Sequence, residues 1–199
     1  MKRYRIPPML AAIVEATLTS FAGIRFESRQ GSCPHCTGMI TGYDFKERLF
    51  AVILTNGRKE EIRVLVKRFR CRECGLVFSA DQPFYPCTRI GSPVVDLCLT
   101  LSHQMPYSRV STCLAEMGVL VDRWSVRNYA RQICTPVASA EMFGMEVPVS
   151  LVRLAALALA SSDNRISELA ALEACGYPGN SDRNVSHDSN PSGPENHEV

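Results

Sequence analysis

The chain has 199 residues, 46% hydrophobic and 21% charged, with a formal net charge of +2. That is the composition of an ordinary globular protein, long enough for one domain or two small ones. No apolar run reaches 18 residues, which excludes a membrane-spanning helix, and the small net charge excludes a uniformly basic or acidic chain.

The first residues, MKRYRIPPMLAAIVEATLTSFAGIRF, put basic side chains ahead of an apolar run, in the outline of a signal peptide. Glu15 interrupts that run, and no convincing small-residue cleavage pattern follows. The spacing of Met9, Ile13, Leu18 and Phe21 instead predicts an amphipathic helix over 7–21, started by Pro7-Pro8, within an N-terminal segment 1–23. A cytoplasmic location is the expectation.

Residues 24–90 read as a cysteine-bearing β region. CPHC, Cys33 to Cys36, is answered by CREC, Cys71 to Cys74, with 34 residues between the pairs. A C-x-x-C pair on a tight turn aims two sulfurs at one point, and two such turns complete a tetrahedral site suited to zinc. The separation exceeds the ~15–20 residues common between such pairs, and the intervening segment accounts for the excess. RLFAVILTNGRKEEIRVLVKRFRC holds two β-branched runs around Asn56-Gly57, the pair favoured in type I′ hairpin turns. Its second strand leads straight to Cys71. There Ile62, Val64 and Val66 alternate with Arg63, Leu65 and Lys67, so one side is mainly apolar. LVFS, after Gly75, reads as a further strand.

Nine cysteines in a cytoplasmic chain, four of them in C-x-x-C pairs, point to metal rather than to disulfides. A thioredoxin-like redox pair would need a βαβ pattern that is not visible. Cys33, Cys36, Cys71 and Cys74 are therefore the expected ligands of a structural Zn2+, with iron left open by the spacing. His35 is expected to be a turn residue and Cys87 to have a packing role. Between Arg58 and Cys74, seven basic residues stand against three glutamates. Arg70 and Arg72 flank Cys71 and serve either the charge of the metal centre or nucleic acid. Arg63, Lys67 and Arg68 are the candidate phosphate contacts of this strip.

Residues 91–135 parse as three helices. Ser92 is the expected N-cap of the first, with Pro93 at its start and Val94, Leu97, Cys98 and Leu101 as its apolar stripe. Met105-Pro106 breaks it. The second runs from about Ser108 to Gly118, facing inward with Val110, Cys113, Leu114 and Met117. Asp122 caps the third, in which Val126, Tyr129, Ala130 and Ile133 face the core and Arg123, Arg127, Asn128 and Arg131 face out. Two short helices joined by a Gly-containing turn, the second with a basic outer face, fit the helix-turn-helix plan. A plain helical bundle with a solvated face is the other reading of the pattern.

Residues 136–175 form an Ala/Leu-rich helical extension, with helices at about 149–160 and 165–174 joined by SSDN. Leu151, Leu154, Ala155 and Ala158 make one apolar face; Ile166, Leu169, Ala170 and Leu172 make another. These faces cover the core of the same chain or, alternatively, pair two copies into a homodimer. The segment 176–199 is rich in Pro, Gly, Ser and Asn, carries a net charge of −3, and is expected to be disordered.

The combination resembles a family. GVLVDRWSVRNYAR looks like the end of the helix-turn-helix in insertion-sequence transposases of the DDE type, and LCLTLSHQMPYSRVSTCLAEMGV like its two preceding helices. Many such transposases place a zinc ribbon ahead of that region, as CPHC and FRCRECGLVFS do here. The resemblance covers about Ser32 to Arg131, roughly half the chain. It implies double-stranded DNA as partner, with Arg127 and Asn128 reading bases and Arg123 and Arg131 positioning the helix.

Those enzymes continue into an RNase-H-like domain whose carboxylates hold two metals. Asp163 and Glu168 have no strands predicted around them, so no such domain fits here. The expected fold is α+β: a small β-hairpin zinc ribbon, a helix-turn-helix region, a helical extension and a tail. The expected function is DNA binding without catalysis, as a regulator or a mobile-element remnant. The alternative is a protein-interaction module docking onto a larger transcription or recombination complex.

Overall fold

A computed structural model describes residues 6–28, 31–161 and 166–177. The architecture is α+β. Helix α1 (Pro8–Thr19) leads into a two-residue strand β1 (Arg25–Phe26). The long strands β2 (Ile40–Thr55) and β3 (Arg58–Cys71) follow, then the short β4 (Val77–Ser79). Next come α2 (Ser92–Ser102), α3 (Tyr107–Glu116) and α4 (Arg123–Gln132), a second hairpin of β5 (Ser139–Met142) and β6 (Met145–Pro148), and helices α5 (Val149–Ala160) and α6 (Glu168–Ala174).

The hairpin predicted around Asn56-Gly57 is present. Both turn residues take the left-handed conformation, Asn56 at φ 51° and Gly57 at φ 76°, as a type I′ turn requires. β2 and β3 pair antiparallel from Thr55↔Arg58 to Ile40↔Cys71. β1 lies parallel to β3 at Leu65 and Val66, and β4 pairs with β3 at Arg68–Arg70. The alternation holds: Ile62, Val64 and Val66 are all buried. The β2–β3 register slips between Leu49 and Ala51, and the extra residue, Phe50, is fully buried. Its ring stacks on Phe21 with centroids 4.0 Å apart and meets Phe84 edge-on at 6.0 Å. Each such aromatic pair contributes about 0.5–1.5 kcal/mol beyond its buried area.

Helix α2 is the centre of the molecule. Ser92 to Leu101 are all buried, polar Asp96 and Thr100 included. The expected single stripe is therefore too narrow, because α4, α3, α5 and β6 all pack against this helix. Ser92 is its first residue rather than its cap, which is Gly91. In α1 the buried residues are Leu10, Val14, Thr17 and Leu18, while Met9 of the expected stripe is exposed. The β5–β6 hairpin is an element that periodicity did not anticipate. Its strands have four residues each, Ser139, Ala140 and Glu141 are exposed, and the alternation in β6 is confined to buried Met145 and Val147 around exposed Glu146, too short a run to read as a strand.

In α5, Leu151, Leu154, Ala155 and Ala158 are buried within the chain, covering its core. In α6 the buried residues are Ala171, Leu172 and Ala174, with Leu169 exposed. The predicted disordered tail lies outside the described residues except for Gly176 and Tyr177, which belong to the fold. Gly176 is left-handed at φ 80°, and the Tyr177 N–H donates to the Leu172 carbonyl, closing α6. The Tyr177 hydroxyl donates to the Phe84 carbonyl at 2.9 Å.

Candidate functional site

The two C-x-x-C segments fold into near-identical turns. In each, the N–H of the first cysteine donates to the carbonyl five residues on, Cys33 to Gly38 and Cys71 to Leu76. In each, the residue after the second cysteine is left-handed, Thr37 at φ 59° and Gly75 at φ 74°. Backbone N–H groups two residues beyond each cysteine point at its sulfur: His35 at Cys33, Gly38 at Cys36, Glu73 at Cys71 and Leu76 at Cys74. Strand pairing of Ile40 with Cys71, and a bond from the Arg72 N–H to the Met39 carbonyl, lock the turns together.

The four sulfurs lie within 4.8 Å of one another, a candidate metal centre built entirely from thiols. Cys33 and Cys74 are 3.6 Å apart, and Cys36 and Cys71 are 3.4 Å apart. As bare thiols so close together they share protons unequally. N–H groups of Cys74 and Glu73, with the Cys36 side chain, bring Cys71 down to about 6. At Cys36 the Gly38 N–H favours the thiolate, but hydrogen bonds with Cys71 and Cys74 and desolvation push it up to about 12. Binding a cation removes this frustration, because all four sulfurs then serve as thiolates. His35 is an exposed turn residue as expected. Cys87 is exposed, left-handed at φ 63°, and outside the cluster, so the expected packing role does not hold. Burial raises Cys98, Cys113 and Cys175, the latter two to about 11 and about 12, keeping them as inert thiols.

The basic residues divide into two groups. On the hairpin, Arg63 bonds Glu47 at 3.2 Å and Glu61 at 2.7 Å, and Lys67 bonds Glu27 at 3.2 Å. Arg68 grips Asp44 through Nε at 2.6 Å and through Nη2, holding the Asp44 carboxyl below its ordinary range. The Lys67 ammonium also lies 5.7 Å from the Phe45 ring and 5.8 Å from Phe69. Three residues of the basic strip, Arg63, Lys67 and Arg68, thus have carboxylate partners, and among the described residues the ion pairs do not reach Arg58, Lys59, Arg70 or Arg72. Such exposed pairs are weak, because water and salt screen them.

On α4 the arrangement is different. Its N-cap is Asp122, whose Oδ1 accepts from the Ser125 N–H at 2.9 Å and whose Oδ2 accepts from the Ser125 hydroxyl at 2.6 Å. Val126 and Tyr129 are buried, and Ala130 and Ile133 pack beside them, as expected. Arg123 and Arg131 are exposed; Arg127 and Asn128 are half-buried. Among the described residues the ion pairs lie on the hairpin, and none reaches Arg123, Arg127 or Arg131. Trp124 shares this outer face, 65% exposed, with the Arg127 guanidinium carbon 5.9 Å from its ring centroid. Trp124 was not among the residues expected from the sequence, although its spacing to Arg127, Asn128 and Arg131 is i, i+3, i+4 and i+7, one face of a helix.

The turn before α4 is held to the sheet. Gly118, left-handed at φ 83°, ends α3. The Leu54 N–H donates to the Gly118 carbonyl and the Leu120 N–H to the Val52 carbonyl, both at 2.8 Å. The Ser111 hydroxyl donates to the Val121 carbonyl, tying the turn back to α3. The outward face of α4 is therefore presented from a support fixed at both ends. Of the two carboxylates considered for catalysis, Asp163 lies outside the described residues. Glu168 serves the fold, its Oε1 accepting from the N–H groups of Glu27 at 2.6 Å and Ser28 at 2.5 Å.

Compared with protein-family models, curated proteins and solved structures, the chain matches none.

Proposed function

We propose that this chain is a zinc-dependent, non-catalytic DNA-binding protein resembling the DNA-binding part of an insertion-sequence transposase, acting as a regulator or persisting as a mobile-element remnant. One observation carries the reading: among the described residues no ion pair reaches Arg123, Arg127 or Arg131 of α4, whereas Arg63, Lys67 and Arg68 of the hairpin are each paired with a carboxylate. Unpaired guanidinium groups on an outward helix face are suited to phosphate and to base edges. In this reading α3, its turn and α4 act as a helix-turn-helix, with Arg127 and Asn128 toward bases and Arg123 and Arg131 toward the backbone. Arg63, Lys67 and Arg68 give a secondary phosphate contact by exchanging their carboxylates.

Zinc suits the thiol cluster. Four thiolates at a Zn–S length of ~2.3 Å stand about 3.8 Å apart around a tetrahedron, close to the 3.4 and 3.6 Å separations of the facing sulfurs. With all four positions filled by protein, the metal's role is structural. It joins the turn before β2 to the end of β3.

The test is equilibrium binding of the zinc-loaded protein to mixed-sequence duplex DNA across a salt series, against Arg127→Ala/Arg131→Ala. Log affinity should fall linearly with log salt. The variant should bind more weakly, with a slope shallower by about 0.9 for each phosphate that is no longer neutralised. Absence of binding at low salt would overturn the DNA reading. A protein-docking role would then be favoured by Met39, Leu76 and Val77, apolar and exposed around the cysteine turns.

A further inference from the structure

Trp124 is the chain's only tryptophan, and it stands in the first turn of α4, on the side opposite Val126 and Tyr129. The fold makes little use of it, since the ring is 65% exposed. Arg127, one turn further along, lies against it as a cation, with the guanidinium carbon 5.9 Å from the ring centroid. That contact restrains a large apolar plate at the end of a basic face. Three arginines and no acidic residue lie within α4 itself.

We propose that Trp124 is a base-reading residue and that it reads the 5-methyl group of thymine in the major groove. The inference rests on the DNA-binding reading above and names the part of the base pair that is recognised. An indole has one donor and no acceptor, so it cannot form the paired hydrogen bonds that arginine makes to guanine or asparagine to adenine. What it offers is apolar area, and the apolar group displayed in the major groove is the thymine methyl. In helix-turn-helix docking the N-terminal residues of the second helix reach the base edges, which is where Trp124 lies. Arg127 and Asn128 follow about 5 Å along the axis at ~1.5 Å per residue, in reach of the adjoining base pair.

The experiment begins with selection of duplexes from a randomised library by the full-length, zinc-loaded protein. Each thymine of a selected duplex is then replaced singly by deoxyuridine, which lacks only the methyl group. At one or two positions the replacement should weaken wild-type binding about fourfold, the loss expected from uncovering one methyl. Trp124→Ala should bind the parent duplex more weakly and ignore the same replacement, whereas Trp124→Phe should retain the discrimination. Because Trp124 is the sole tryptophan, its fluorescence should become shielded from acrylamide when the selected duplex is added.

Selected duplexes that bind tightly, yet tolerate uracil at every position and leave the tryptophan quenchable, would overturn the assignment while the DNA reading stands. Failure to bind any duplex at low salt would overturn both, and the exposed ring would then belong to a protein contact.

Discussion

Gly91 lies directly against the ring of Phe50: a β-carbon on Gly91 would stand 2.3 Å from the ring's Cε2. The Gly91 backbone, at φ −62° and ψ 148°, is open to any residue, so the aromatic ring alone keeps this position bare. The ring cannot retreat, because it is held between Phe21 and Phe84. The Gly91 N–H also donates to the Phe50 carbonyl at 2.8 Å, fixing the start of α2 to the bulge of β2. Gly91→Ala should therefore overpack the core and cost about 1–3 kcal/mol. At ~2–4 °C per kcal/mol for a chain of this size, thermal unfolding should register it clearly. Adding Phe50→Leu to that variant should restore part of the loss, and a Gly91→Ala protein as stable as wild type would refute the steric account.

Metal removal should unfold one region selectively. The four sulfurs come from two turns that close the open ends of β2 and β3, so chelation should release the cysteine turns and β4 before the helices. Amide exchange should accelerate around Cys33–Ile40 and Cys71–Ser79 while α2 stays protected. Elemental analysis should find one zinc per wild-type chain and none in Cys33→Ser or Cys71→Ser. Cys87→Ser, at an exposed thiol outside the cluster, should keep the full complement. An unchanged exchange pattern after chelation would argue against a structural metal.

The parts of this fold that were readable in advance are those whose information is local. Asn56-Gly57 and the alternation after it define the hairpin within a few residues, and the C-x-x-C spacing brings four sulfurs to one place once that hairpin returns the chain. The inward faces of α3 and α4 follow their periodicity for the same reason. What escaped depends on partners distant in sequence. Asp96 and Thr100 are buried because α2 is enclosed on several sides, which no stripe on α2 itself announces. Arg63, Lys67 and Arg68 looked free because Asp44 and Glu47 meet them only through a β2–β3 register containing two slips, and Glu27 only through the parallel pairing of β1 with β3. Tyr177 sits at the start of a polar segment in the sequence, and it is the Phe84 carbonyl that anchors it to the core.

The Asp122 cap gives α4 a pH dependence of known sign. Hydrogen bonds from the Ser125 side chain, and then its backbone N–H, hold the Asp122 carboxyl below its ordinary value of 3.8. A depressed folded-state pKa means the cap contributes fully above about pH 4 and is lost as the pH falls through the folded-state value. Asp122→Ala should cost about 1 kcal/mol at neutral pH, and the difference from wild type should shrink on acidification. Asp122→Asn, an equally good cap without the charge, should retain neutral-pH stability and flatten the profile. Urea unfolding at several pH values measures all three, and a wild-type-to-Ala difference that grows toward low pH would contradict the assignment.

Asp96 has the opposite sign. It is 5% exposed in the middle of α2, its Oδ1 accepting from the Tyr85 hydroxyl at 2.6 Å and its Oδ2 from the Ser150 hydroxyl at 2.7 Å. Burial raises its carboxyl above the ordinary 3.8, and the two hydroxyl donors only partly oppose that. Its contribution to stability is therefore complete below the unfolded-state value and declines as the pH climbs through the folded-state value. Asp96→Asn removes the charge while keeping an acceptor for one hydroxyl. Its stability relative to wild type should accordingly improve as the pH rises above the ordinary carboxylate value, because the wild-type carboxyl then ionises at a cost to the fold. Asp96→Leu should be destabilised throughout, because Tyr85 and Ser150 would both lose their acceptor. If the Asp96→Asn difference falls with rising pH, the two hydroxyl donors outweigh burial, and the carboxylate is a stabilising hub joining α2 to Tyr85 and α5.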